Sequence, residues 1–220
     1  TDFKQTEEGW IVQIKHETKG EVTIHTKYLV DASGRQSHVC RKLGVSCNKK
    51  DALVGIGSFL NFDKNTAIKQ EIILESAEVG WWYAATLPDQ QVVLTLFTDA
   101  STAKDMKLQK PENWFALISK TKHIIKKINK ASSHESIWTR NAFSHVSDAA
   151  NRHNFLAVGD AACSFDPIAS MGIGFAISSA CHAAKAIIEN DSTNQALASY
   201  NENIKSIFKN YLETKPLFYQ

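Results

Sequence analysis

Apolar and polar residues alternate over Trp10, Val12 and Ile14, and again over Val22 and Ile24, with Thr18-Lys19-Gly20-Glu21 between the two runs. A period of two marks strands with one covered face, and a glycine-bearing turn between two such runs marks a hairpin, so residues 9–30 are predicted as one. Its second strand is predicted to end in Tyr28-Leu29-Val30, which opens into Asp31-Ala32-Ser33-Gly34-Arg35. A short buried-type strand running into small residues delivers backbone to a ligand at the carboxyl end of a sheet. The middle of the chain predicts four further strands, at Leu53–Phe62, Glu71–Glu75, Trp81–Leu87 and Val92–Thr98, with Pro88-Asp89-Gln90 as a hairpin turn. Together these read as an open antiparallel sheet with one covered face.

Periodicity then changes. Pro111 suits the first turn of a helix carrying Trp114, Leu117 and Ile118, and the basic, amphipathic segment His123–Lys130 reads as a solvated helix face. Phe155-Leu156-Ala157-Val158 is a short apolar run closed by Gly159-Asp160, and a loop of small residues leads to Gly172-Ile173-Gly174. Apolar residues recur at Ile173, Ala176, Ile177, Ala180, Ala184, Ile187 and Ile188, the spacing of one helix face. Small residues elsewhere on that helix (Ser178, Ser179, Ala183) let neighbouring backbone come close. Leu197, Tyr200, Ile204, Ile207, Phe208 and Tyr211 mark a second amphipathic helix.

Composition narrows the class. The chain has 220 residues, 43% hydrophobic and 22% charged, as an ordinary globular protein has. Lys+Arg 25 against Asp+Glu 23 is too balanced for a nucleic-acid partner, which calls for a basic face. No apolar run reaches the ~18–20 residues of a membrane span, and the first residues show no signal pattern. Cys40, Cys47, Cys163 and Cys181 form no CxxC pair and the eight histidines no metal-ligand spacing, so no metal is expected and a reducing, cytoplasmic setting is.

The chemistry concentrates in the last third. An acid ending a buried strand, here Asp160 after Gly159, can accept hydrogen bonds from sugar or polyol hydroxyls. Two glycines at a helix start, Gly172 and Gly174, let backbone N–H groups approach an electron-rich ligand edge with the help of the helix dipole. Gly159-Asp160-Ala161-Ala162-Cys163 through Asp166-Pro167 and Ser170-Met171-Gly172-Ile173-Gly174 resembles the second FAD motif of flavin-dependent monooxygenases, and within them the halogenase-like and geranylgeranyl-reductase-like branch. Tyr28–Ser37 is similar to the strand that returns to the FAD domain. Gly80-Trp81-Trp82-Tyr83 with Leu87-Pro88, and Phe97-Thr98-Asp99-Ala100, resemble stretches of the halogenase branch and its oxidoreductase members. The three motifs fall in the family's order over about residues 10–212.

The resemblance implies an α+β fold, α/β in the full protein: part of a Rossmann-like FAD domain plus an antiparallel-sheet substrate domain. Residues 1–40 would hold the hairpin and returning strand, 41–145 the substrate domain, and 146–220 the second FAD motif and the two long helices. It implies FAD as cofactor, with Asp160 on a ribityl hydroxyl, Gly172, Ile173 and Gly174 along the pyrimidine side of the isoalloxazine, and Asp31, Gly34 and Arg35 lining the dinucleotide groove. Gly159 and Pro167 complete that motif. Trp81, Trp82 and Tyr83 would face flavin or substrate, although adjacent strand residues point to opposite sides. NAD(P)H or a partner reductase would supply electrons, and an electron-rich small molecule or a protein side chain would be the substrate.

Two departures bear on the activity. Tryptophan halogenases carry a glutamate where this chain has Ala169, and alanine cannot act as a base; Met171 replaces a threonine. The family opens on Gly-x-Gly-x-x-Gly, which is absent here. The chain therefore reads as the carboxyl-side portion of a longer flavoprotein, expected by itself to bind FAD weakly or not at all. Monooxygenation is the leading expectation, with halogenation and prenyl reduction as alternatives and a non-catalytic fragment as the reading of another class. No catalytic acid or base is assigned.

Overall fold

The computed structural model describes residues 2–149 and 152–219. In chain order the strands and helices are β1 (Asp2–Gln5), β2 (Trp10–His16), β3 (Gly20–Thr26), β4 (Leu29–Asp31), α1 (His38–Lys42), β5 (Cys47–Lys49), β6 (Leu53–Asn61), β7 (Ile72–Ala77), β8 (Gly80–Leu87), β9 (Gln91–Asp99), α2 (Ala100–Asp105), α3 (Pro111–Ile118), α4 (Ile124–Ile128), β10 (Ser133–His134), β11 (Trp138–Asn141), β12 (His145–Ser147), β13 (Phe155–Ala157), β14 (Cys163–Ser164), α5 (Gly172–Glu189) and α6 (Gln195–Thr214). The mixed α+β class expected from the sequence is the one observed.

Two compact units form, one from residues 1–50 with 144–220 and one from 51–143. The division differs from 40/41 and 145/146 because β5 pairs with β12, which in turn pairs with β14. That three-stranded sheet holds residues 41–50 in the first unit.

In the first unit β2 and β3 pair antiparallel as the predicted hairpin, and β1 adds to β2. The second arm is two elements rather than one continuous strand. After β3 the chain breaks, and β4 pairs parallel with β13, with Leu29 opposite Phe155 and Asp31 opposite Ala157. Parallel pairing of strands far apart in sequence brings their carboxyl ends to the same side, the end at which Rossmann-like sheets bind ligands. Trp10 seals the pair by donating its indole N–H to the carbonyl of Asn154 at 3.0 Å. Phe155, Leu156, Phe165, Phe175, Ile204 and Phe208 fill the core beneath.

The helix predicted after Gly172 forms, but its buried face is not the apolar stripe. Phe175, Ser179, Ala183 and Ala186 are buried, whereas Ile173, Ile177 and Ile188 are 81%, 64% and 83% exposed. Close approach decides this. The Ser179 hydroxyl accepts the Gly159 N–H at 2.9 Å, and a Cβ on Gly159 would lie 3.3 Å from that of Ala176. Small side chains suit that separation and isoleucines do not.

The second unit is a six-stranded antiparallel sheet in the order β10-β6-β9-β8-β7, with β11 also on β6. One face packs against α2, α3 and α4 through Ile56, Leu60, Trp82, Leu94, Leu96, Trp114 and Ile124. Trp114 also donates its indole N–H to the Ile56 carbonyl at 3.1 Å. The basic segment after His123 forms only the short α4. Its first turn is capped by Glu75 of β7, whose carboxylate accepts the N–H groups of Lys122, His123 and Ile124.

Candidate functional site

At the carboxyl ends of β4 and β13 two turns meet, Gly34–Gln36 and Gly159–Ala161. Arg35 is the bridge. Its Nε lies 3.4 Å from the Asp160 carboxylate, and an Nη donates to the Phe165 carbonyl at 3.0 Å. Both side chains of the ion pair stay partly exposed, at 20% and 30%. The structure thus brings together Gly34, Arg35, Gly159 and Asp160, which lie some 125 residues apart in sequence.

Asp31 sits beneath this cluster rather than in it. It is fully buried. One carboxylate oxygen accepts the Ser33 hydroxyl and the Ser33 N–H at 2.9 Å, and the other accepts the Cys40 N–H at 2.8 Å. Burial alone would raise its pKa, but the hydrogen bonds from Ser33 and Cys40 outweigh burial and hold it below the ordinary carboxylate value. Its observed work is to fold the turn that carries Gly34 and Arg35.

Gly159 has a similarly structural place. Its φ of +54° is left-handed, and its N–H is taken by Ser179. Pro167 starts a single turn, Pro167–Ala169, capped by the Asp166 side chain on the Ile168 N–H. Gly172 and Gly174 are different. A Cβ on either would meet nothing within 4 Å, so packing does not require glycine there. The first turn of α5 has no side-chain cap and no acidic residue, and Ile173 points outward. Uncapped N–H groups and the positive end of the helix dipole therefore face open space.

The aromatic triple divides between the two faces of β8. Trp82 is fully buried on the helix-covered face, 5.3 Å from Trp114 between ring centroids, so the structure does not bring it to the face of Trp81 and Tyr83. Trp81 stacks on Phe97 at 4.2 Å on that other face, and its indole N–H is buried without a partner. Gly55 and Gly57 of β6 lie on the same face. A Cβ at Gly57 would sit 2.6 Å from the Trp138 ring, and one at Gly55 2.9 Å from Phe97. The Gly-x-Gly inside the β6 pattern was the available signal for this close approach.

Sequence reasoning passed over the polar support under the site. His145 Nδ1 is 2.6 Å from the Ser164 hydroxyl and Nε2 is 3.1 Å from that of Ser37. Burial first, then the charges of Arg35 and Lys49, lower its pKa to about 4, so the ring is neutral at pH 7. Asp166 receives Tyr219 and the Lys215 ammonium on its carboxylate, and the Tyr211 hydroxyl accepts its backbone N–H. No single motif connects residues 37, 145 and 164, so pattern reading had nothing to find.

A parallel strand pair ending in an Arg–Asp cluster, beside an open glycine-flanked helix start, defines a Rossmann-like domain suited to a dinucleotide cofactor. The chain belongs to the FAD binding domain family, whose model matches residues 1–214. It is 39% identical over 219 residues to "Putative FAD-dependent oxidoreductase LodB" of Marinomonas mediterranea, covering 99% of this chain and 58% of that protein. It is 28% identical over 220 residues to the 1H-pyrrole-2-carbonyl-(peptidyl-carrier protein) chlorinase of Pseudomonas fluorescens, covering 92% of this chain and 48% of that one. The flavin-dependent halogenase CmlS shares the fold, with a TM-score of 0.83 at 21% identity over all of this chain and 41% of its own. The chain spans about half the length of the curated relatives it matches. Among the described residues no helix is long and apolar enough to cross a membrane.

Proposed function

We propose that this chain is the carboxyl-side part of an FAD-dependent monooxygenase of the halogenase-like branch, acting on an electron-rich, aromatic or protein-bound substrate. The supporting observation is the open start of α5, where Gly172 and Gly174 leave room that no side chain of the protein needs. The residues present fit FAD. A flat, electron-rich ring edge can approach the free N–H groups of that turn, and the Asp160 carboxylate, partly exposed, can accept a hydrogen bond from a ribityl hydroxyl. Arg35 holds Asp160 in place and presents a positive charge to the same groove. Tyr83 and Phe97, both partly exposed, offer an aromatic face for the substrate, with Trp81, only 6% exposed, stacked on Phe97. Trp82 belongs to the core and drops out of the substrate assignment.

The flavin, when bound, supplies the redox chemistry and the reaction with oxygen, with electrons from NAD(P)H or a partner reductase. This chain's part is to hold the pyrimidine edge where its negative charge grows on reduction. The glutamate expected of a tryptophan halogenase is Ala169 here, and its side chain packs against the core. Nothing at that place can draw a proton from an indole, which argues against halogenation of free tryptophan. The whole protein's substrate, electron donor and cytoplasmic setting are part of this proposal.

FAD titration, followed by quenching of flavin fluorescence, tests the reading. Carried out on the longer protein, Asp160→Ala and Gly172→Val should each weaken FAD binding by at least tenfold without lowering the unfolding temperature by more than a few degrees. Unchanged affinity in both variants would overturn the assignment. The 220-residue chain alone should bind at least a hundredfold more weakly than the longer protein.

A further inference from the structure

The two edges of the six-stranded sheet are finished differently. β6 is covered by β10 and β11, whereas among the described residues β7 pairs only with β8. The Thr86 N–H donates to the Glu71 carbonyl at 3.2 Å, and this bond sets the parity of the β7–β8 ladder. Residues 73, 75 and 77 bond to β8, so Ile72, Leu74 and Ser76 turn their N–H and C=O groups outward. Ile72 and Leu74 are also 66% and 58% exposed. Natural edges are normally guarded by lysine, proline or a bulge, and β7 carries none of these. Its one charge, Glu75, is turned under the sheet, where its carboxylate accepts the N–H groups of Lys122, His123 and Ile124 at the start of α4.

A groove of about 700 Å³ runs along this edge. Four lysines line it, Lys69, Lys126, Lys127 and Lys130, with His123 and a single acid, Glu71. Glu71 is occupied. Lys69 reaches it at 2.8 Å and Lys127 at 3.4 Å, while Lys127 also donates to the Lys69 carbonyl. Lys126 and Lys130 remain exposed. An open edge with outward aliphatic side chains, bordered by uncompensated positive charge, suits a strand of alternating acidic and aliphatic residues. A second copy of the chain would set these lysines against each other.

We infer that β7 and the Lys126/Lys130 groove form a docking site for an acidic, extended segment of a partner protein, which adds to the sheet as a strand beside β7. Main-chain bonds to Ile72, Leu74 and Ser76 would give affinity, and the lysines would select charge and speed encounter. The inference goes beyond the flavin reading, and its test involves no cofactor.

The probe is a fluorescein-labelled eight-residue peptide of alternating Asp or Glu and Val, with a Lys/Val peptide as control, titrated into the whole chain by anisotropy. The acidic peptide should bind in the micromolar range, at least tenfold more tightly than the control, and weaken as salt rises from 50 to 500 mM. Leu74→Pro removes an outward N–H and leaves the β8 ladder intact, so it should cost at least tenfold in affinity with an unchanged circular dichroism spectrum. If that variant fails to fold, Ile72→Lys with Leu74→Lys serves the same purpose through the side chains. Lys126→Glu with Lys130→Glu should reverse the preference between the two peptides. Equal binding of both peptides, no binding of either, or affinity unaffected by the edge variants would overturn the proposal. So would a concentration-dependent dimer in sedimentation that the edge variants abolish.

Discussion

The two units solve the problem of a core in different ways. In the second, the packed face of the sheet is almost wholly apolar, and even its tryptophans are spent on packing: Trp82 and Trp114 are both fully buried in contact with each other. In the first, the core is threaded by buried polar groups. Asp31, Ser37, Ser144, His145, Ser164 and Asp166 are each at most 1% exposed. Burying such groups is costly unless they are bonded, and these are bonded, mostly to backbone and hydroxyls around the Arg35–Asp160 cluster. The unit with the candidate cofactor site therefore depends on ionisation and the other on volume.

The widest separation between the units should come from Trp82→Ala. Removing a fully buried indole costs about 3–5 kcal/mol. Hydrogen exchange of the β8 and β9 amides should accelerate strongly, while α5 and α6 amides keep their protection. Comparable loss in both would erase the contrast.

Next comes His145. Its pKa is lowered in the fold, so the unfolded chain takes up a proton first. Stability from the neutral ring is complete above about pH 6.5 and falls as the pH drops toward about 4. The lowering from 6.5 to about 4 corresponds to about 3 kcal/mol. Exchange protection of α5 and α6 should decline over that range, that of β6 and β9 should not, and His145→Gln should flatten the decline.

Asp31→Ala is the smallest of the three. It leaves the Cys40 and Ser33 N–H groups without their acceptor, at a cost of about 2 kcal/mol. Because the Asp31 pKa is lowered, its contribution is present above the ordinary carboxylate value and is lost as the pH falls through the folded value. Denaturant unfolding at pH 7 and pH 3 should show a difference between wild type and variant that shrinks at the lower pH.

Much of this contrast could be read from local pattern. Apolar and β-branched runs bounded by polar or turn residues located the second unit's long strands to within a residue or two, but the expected single covered face is not what forms: β6 is buried almost throughout and β8 and β9 bury residues on both faces. Gly159-Asp160 and Gly172-Ile173-Gly174 could be found because their job is local: a strand end and a helix start. The buried face of α5 could not. The apolar stripe through Ile173 and Ile177 and the small stripe through Ser179 and Ala183 are both regular, and only the depth at which the Gly159 turn approaches selects the small one.

The same limit explains Asp31 and the tryptophans. An acid after a strand looks the same in sequence whether its carboxylate meets a ligand or a turn, and the Cys40 N–H nine residues on makes it a turn. Trp81 and Trp82 are adjacent, chemically alike and both buried, and only the contact of Trp82 with Trp114 of α3 tells which one packs under the helices. By itself, then, the sequence determined the long strands and helices, which rest on periodicity and on neighbouring residues, while the order of the motifs and the kind of cofactor came from their resemblance to a family. The tertiary structure alone decided which face of each element is used, which polar groups are consumed by folding, and that β7 is left as an open edge. Those outcomes depend on contacts between residues far apart in the chain, whose distances no local pattern encodes.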